Sequence, residues 1–191
     1  MPIYSIIIPA LWLILVVVWA VSAFTAKRSV GGRAWRREIG LRIGILVLVL
    51  VALRVPGIRN ALRGARPYAV NTATALGVAG IALCTLGVGL ALWARLSLGR
   101  NWGMPMSRKE NPELVTGGPY AYVRHPIYGG IILAMIGSAL GQSPFWLAPL
   151  VLIGGYFVFS ARREERLMTE QFPQAYADYR RRTKMFIPFV V

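Results

Sequence analysis

Residues 127–160 read "IYGGIILAMIGSALGQSPFWLAPLVLIGGYFVFS". The run is apolar for longer than the roughly 20 residues that one bilayer crossing takes. It is interrupted at 141–144 by "GQSP". Glycine permits a sharp turn and proline lacks the N–H that a continuing helix needs, so the pair marks a break. A single kinked helix would deliver the following chain to the far side, whereas a hairpin of two short helices would return it. The hairpin is the better reading, because it gives the polar segments 95–126 and 161–186 a common face.

Working outward, the 191 residues are 56% apolar and 15% charged, which excludes an ordinary soluble domain with a mixed surface. The net charge of +15 does not point to nucleic acid. The arginines gather at the ends of apolar runs, where lipid headgroups and the positive-inside bias place them, and no basic stripe carries interleaved stacking aromatics. Residues 3–24 form a first span, bounded by Lys27, Arg28, Arg33, Arg36 and Arg37. The amino terminus lacks the positive leader and cleavage site of a secretory signal, so this segment is expected to stay as a helix. Residues 39–54 form a shorter second span between Arg42 and Arg54, whose stems can reach the interface. Residues 69–94 are rich in Gly, Ala and Thr and read as the central span, their glycines serving close helix approach. Cys84 falls within that helix and is the only cysteine, so no intrachain disulfide is possible.

The expected fold is therefore an all-α integral membrane protein with five transmembrane helices, the last two a hairpin, followed by cytoplasmic helices in the carboxyl tail. An outside amino terminus puts the loop after span one, segment 95–126 and the basic tail inside. Arg54, Arg59, Arg63 and Arg66 then lie outside, against the bias. The short chain with few loops reads as a multi-pass protein of a prokaryotic inner membrane, with its polar face cytoplasmic.

The most polar stretch is "GGPYAYVRHPIYGG" at 117–130, with the only histidine. Irregular backbone at membrane depth is tolerated only where protein or a water-filled cavity surrounds it, so this stretch lies at the interface or lines a pocket. Gly117, Gly118 and Pro119 predict a turn, and the His125–Pro126 pair holds the histidine out of the helix just before Ile127 opens the next span. In the tail, Leu167, Met168 and Phe172 recur as on an amphipathic helix. Pro173 can begin a second helix, placing Tyr176 and Tyr179 on one face. Two of the seven acids, Glu164 and Glu165, stand at the end of the hairpin's return helix, where the hairpin brings them beside His125. Their plain structural alternative is surface pairing with Arg162, Arg163 or Arg166, and that of the 117–126 turn is a helix entrance with Arg124 on phosphates. A carboxylate, an imidazole and tyrosines around one sheltered pocket would instead suit a polar, cationic small molecule. One histidine and one distant cysteine cannot assemble a zinc site, no nucleophile elbow is present, and the Gly-rich stretches sit inside apolar helices rather than in phosphate-binding turns.

The runs "LGRNWGMPMSRKENPELVTGGPYAYVRHPIYGG" and "RREERLMTEQFPQAYADYRRRTKMFIPF" resemble the isoprenylcysteine carboxyl methyltransferase family and its bacterial and archaeal relatives, over roughly the carboxyl-terminal half. The resemblance implies a single membrane domain, in which residues 1–66 supply the first two spans and 67–191 the cofactor-binding catalytic half. It implies methyl transfer from S-adenosyl-L-methionine to a lipophilic or small hydrophobic acceptor drawn from the bilayer. Carried over, Pro112, Glu113, Leu114 and Val115 resemble a backbone strip along the cofactor. Tyr120 with His125, Pro126, Ile127 and Tyr128 match the motif around it, and Glu164 matches the cofactor-binding acid. Arg124 and Glu165 are the candidates for orienting the acceptor or its departing proton. Asn101 and Trp102 match an "NW" pair without an assigned role. Where prenylcysteine-modifying members carry a substrate-contacting arginine, four residues before the glutamate, this chain has Ser160. Two other readings are a sterol-reductase-like enzyme using NADPH and a non-catalytic membrane scaffold whose polar loop grips headgroups.

Overall fold

The computed structural model describes residues 3–23, 29–30, 70–102, 108–109 and 113–187. The expected second span at 39–54, the arginines at 54–66 and Pro112 lie outside them. The elements are α1 (Tyr4–Ala23), β1 (Ser29–Val30), α2 (Val70–Leu98), β2 (Arg108–Lys109), α3 (Pro126–Gly141), α4 (Leu147–Gln171) and α5 (Pro173–Arg182). β1 and β2 pair antiparallel, Ser29 opposite Lys109 and Val30 opposite Arg108. Among the described residues, three stretches are long and apolar enough to cross a membrane, Tyr4–Ser22, Ala75–Asn101 and Pro144–Gln171, and Pro126–Gly141 is a shorter apolar helix.

The break at "GQSP" makes the expected hairpin. α3 ends at Gly141, and Ser143 accepts a hydrogen bond from the Phe145 N–H to cap a short 3-10 turn, Pro144–Trp146, from which α4 starts. The return helix does not stop near residue 160. It runs unbroken to Gln171, because residues 161–171 are mostly good helix formers and no breaker comes before Pro173. Glu164 and Glu165 are thus held on the same rigid rod as the apolar part of α4.

Among the described helices the most enclosed is α3 rather than the segment expected at the centre. Eleven of its 16 residues are buried, against a third of the apolar window of α2. α3 packs on α1, α2 and α4. Its contact with α2 is antiparallel and built on glycine. A Cβ at Gly137 would fall 2.5 Å from the Cys84 nitrogen, and one at Gly130 would fall 2.6 Å from the Gly87 carbonyl oxygen. Lipid tails give helices no hydrophobic reason to associate, so such close backbone approach, with its many dispersion contacts, is what holds the pair. Gly137→Val should accordingly lower the thermal stability of the detergent-solubilised protein by about 1–3 kcal/mol or more, since the atoms it meets are backbone and cannot swing aside. Gly154→Val, at a position with nothing within 4 Å, is the control.

α1 is fastened to the hairpin by Trp12. Its indole N–H donates to Ser138 Oγ at 2.9 Å and its ring stacks on Trp146 with centroids 5.6 Å apart. Tyr4 lies against Gly77 and Ser22 against Arg95, so α1 and α2 run parallel, with residues 23 and 70 at opposite ends of the bundle.

Candidate functional site

The site lies where α3 begins, at the end of the bundle that also holds the last turns of α4. The turn predicted from Gly117 to Pro119 is a 3-10 turn over Gly118–Ala121. Gly118 has φ +62°, a conformation that favours glycine, and a Cβ there would also meet Ser97 Oγ at 2.6 Å. The turn buries Pro119 and Tyr120. Val123 then makes a single parallel bridge with Lys184, as the segment after α5 docks beside it. The Arg124 N–H donates to the Lys184 carbonyl at 2.8 Å, and the His125 N–H to that of Met185 at 3.0 Å. His125 is non-helical, with φ −126° and ψ 58°, and Pro126 takes the first helical position, where no N–H is needed.

This local geometry brings His125 and Tyr128 to α4. Tyr128 Oη donates to Glu164 Oε1 at 2.6 Å, and the other carboxylate oxygen faces His125 Nδ1 at 3.6 Å. The His125 ring is stacked on that of Tyr128, 5.6 Å between centroids and 4° between planes, and Tyr128 in turn stacks on Phe157 at 4.5 Å. Phe186, from the docked tail, leans on His125 at 5.9 Å. Glu165 turns to the other side. Its Oε1 accepts from Arg124 Nε at 2.6 Å and lies 3.5 Å from His125 Nε2, which makes no hydrogen bond. Arg124 also donates through Nη1 to the Thr183 carbonyl. The side chains of Arg124, His125 and Glu165 are 8–9% exposed, and that of Glu164 is 25% exposed. Glu165 is therefore engaged within the protein, while Glu164 is the more exposed of the two carboxylates.

Tyr176 and Tyr179 are both buried, as their shared helix face predicts. Tyr179 Oη donates to the Tyr120 carbonyl at 2.7 Å, tying α5 to the 3-10 turn. Burial pushes the Tyr179 phenol up to about 12 and raises that of Tyr120 as well. Because the folded value exceeds the unfolded one of about 10, the stability tied to neutral Tyr179 is whole below about pH 10 and is lost as pH climbs toward the folded value. Tyr179→Phe should cost about 1–1.5 kcal/mol at pH 7 and flatten that alkaline decline, as thermal melts across pH would record.

Of the remaining expected residues, Pro126 and Ile127 are buried at the start of α3. Glu113, Leu114 and Val115 form irregular chain. Val115 packs on the core that holds Tyr120 and Tyr128, and exposed Glu113 accepts from Asn101 Nδ2 at 3.0 Å, which gives Asn101 a partner. Trp102 lies under a residue that pattern reading passed over, Arg95, whose guanidinium carbon is 4.4 Å from the indole centroid. A charge inside an apolar helix was the available signal.

Fold and site together define a helical membrane protein whose ionic corner is assembled by one helix hairpin and its tail. The family model for phospholipid methyltransferases (PEMT) matches residues 76–175, more than half of the chain. The protein belongs to the phospholipid methyltransferase family. It is 32% identical over 111 residues to the nickel-cobalt-cadmium resistance protein NccN of Alcaligenes xylosoxydans xylosoxydans, covering 56% of this chain and 52% of that protein. It is 32% identical over 127 residues to the protein-S-isoprenylcysteine O-methyltransferase of Schizosaccharomyces pombe, covering 64% and 52%. A solved eukaryotic intramembrane isoprenylcysteine carboxyl methyltransferase is similar in structure, with a TM-score of 0.51 and 30% identity over 60% of this chain and 43% of that one. The chain spans about half the length of the curated relatives it matches.

Proposed function

We propose that this protein is an integral-membrane methyltransferase that uses S-adenosyl-L-methionine and a lipophilic acceptor taken from the bilayer. The observation that carries this reading is the Tyr128–Glu164 hydrogen bond at 2.6 Å beside the stacked His125 ring. A partly exposed carboxylate with one oxygen oriented by a phenol fits a polar ligand bearing hydroxyl or ammonium donors, and the neighbouring aromatic faces fit a sulfonium charge. The donor set therefore suits S-adenosylmethionine. When bound, that molecule supplies a methyl group on a positively charged sulfur, transferred by in-line displacement without a covalent enzyme intermediate.

The chain's own part is positioning and exclusion of water, which can account for much of the rate of such a transfer. Glu164 and Tyr128 bind and orient. His125, clamped between Tyr128 and the carboxylates, fixes the wall of the site, and Pro126 and Ile127 close it from below. Tyr120 and residues 113–115 supply the remaining edge. Arg124 and Glu165, engaged with each other, act as positioning residues that hold His125 and the tail in place, and through them the path of the acceptor. The parallel course of α1 and α2, with residues 23 and 70 at opposite ends, supports the five-span topology. The arginines of α4 and α5 at the site's end support a cytoplasmic face in a prokaryotic inner membrane. The family match favours this reading over a reductase or a scaffold.

The test is direct. Purified protein in lipid nanodiscs should bind S-adenosylmethionine and S-adenosylhomocysteine but not NADPH, and should move radiolabelled methyl into a membrane lipid extract. A folded preparation that binds neither sulfur compound refutes the reading.

A further inference from the structure

Arg95 stands in the last turn of α2 and is 2% exposed. A guanidinium so deeply placed in a membrane protein costs several kcal/mol unless its charge is compensated. Among the described residues its contacts are all neutral. Nη1 donates to the Gly99 carbonyl at 2.9 Å, Nη2 donates to the Ser22 carbonyl at 2.7 Å, and the plane lies against Trp102. Carbonyls and a ring face satisfy donors without cancelling the charge. The carboxyl end of α2 contributes about 0.3–1 kcal/mol through the helix dipole, which is too little. Moreover, Arg95 Nε is buried with no acceptor, and so is the indole Nε1 of Trp19, whose ring packs on Trp102 at 6.1 Å.

A net positive charge and two orphaned donors in one cluster lack the same thing, an acceptor that carries negative charge. We infer that Arg95, with Trp19 and Trp102 around it, forms a binding site for a compact oxyanion, a carboxylate or a phosphate, at the end of α1 and α2 beside the candidate active site. Gly118, in the turn that buries Tyr120, lies against Ser97, two residues beyond Arg95 on α2, which joins the two regions. Two sources present this chemistry there. One is the amino-acid carboxylate of S-adenosylmethionine, which rests on the methyltransferase reading. The other is the phosphate of an anionic lipid, which does not.

The experiment follows tryptophan fluorescence and calorimetry on the full chain in detergent, with two matched pairs of probes. The first pair is S-adenosylhomocysteine and its decarboxylated form. The second is dihexanoyl phosphatidic acid and dihexanoylglycerol. In one pair the member that carries the oxyanion should bind roughly 10- to 100-fold more tightly than its partner. Arg95→Gln should remove that preference chiefly by weakening the member that carries the oxyanion, and the pair affected identifies the source. Trp19→Phe, which removes the indole donor and keeps an aromatic ring, should weaken the same preference by roughly 3- to 10-fold, and it decides the matter if Arg95→Gln does not fold. Preferences unchanged in the folded variants overturn the inference, as does the absence of any anionic preference in the parent protein. Failure of S-adenosylhomocysteine to bind while phosphatidic acid still binds through Arg95 would leave the oxyanion site standing and remove the methyltransferase reading.

Discussion

Glu164→Gln should weaken S-adenosylmethionine binding by roughly 100-fold or more, because it removes the charge from an acceptor expected to serve more than one hydrogen bond, each worth about 1.5–3 kcal/mol when ionic. The amide is isosteric and its oxygen can still receive the Tyr128 hydroxyl, now held at 2.6 Å. The fold should therefore survive, and a thermal melt of the ligand-free protein should move little. Tyr128→Phe separates orientation from charge. It leaves the carboxylate ionised but frees the oxygen that the phenol holds, so a loss of about 10-fold is expected, with the aromatic stack on Phe157 intact. Calorimetric titration of both variants decides the assignment. Wild-type affinity in folded Glu164→Gln would move the cofactor elsewhere, whatever the family.

Much of this corner was legible because it depends on a few strong local signals. Gly141 and Pro144 force a reversal, a reversal makes the two helices antiparallel, and antiparallel helices set residues just inside the first against residues near the end of the second. That chain of consequences is enough to bring Tyr128 to Glu164. The Gly-Pro turn and the His125–Pro126 helix start were legible for the same reason, since each follows from backbone restrictions of the residues themselves. What escaped depends on contacts that no periodicity encodes. Residues 183–186 dock along 122–125 through backbone hydrogen bonds, which any side chains could make. The central place of α3 follows from glycine facing glycine across two helices, and its own short sequence gave no sign of which helix would be surrounded. Glu165 looked like a chemical group beside Glu164 because adjacent residues on a helix are close in sequence. On a rod with about 100° between neighbours they face different partners, and only the fold reveals that Glu165 meets Arg124.

Removing either member of that pair should be the most damaging single change to stability. Arg124→Ala leaves a carboxylate whose side chain is 8% exposed with only the long, largely exposed contact to Arg180 at 3.9 Å, and Glu165→Ala strands a guanidinium equally enclosed. Leaving one buried charge without its partner costs about 3–5 kcal/mol. Arg124 has a second duty, because its bond to the Thr183 carbonyl pins the segment that carries Phe186 onto His125. Its loss should therefore loosen the tail as well, and limited proteolysis after α5 should speed up in Arg124→Ala more than in Glu165→Ala. The pair's net value is a different quantity. Much of the attraction offsets the desolvation of two ions, so a volume-matched apolar replacement such as Arg124→Met with Glu165→Leu should recover most of the lost stability. Recovery of the melt without recovery of methyl transfer would identify the pair as the device that orients His125 rather than as a mere staple. Single variants that melt within about 1 kcal/mol of the parent would mean that water reaches the pair and that its charges are screened as on a surface.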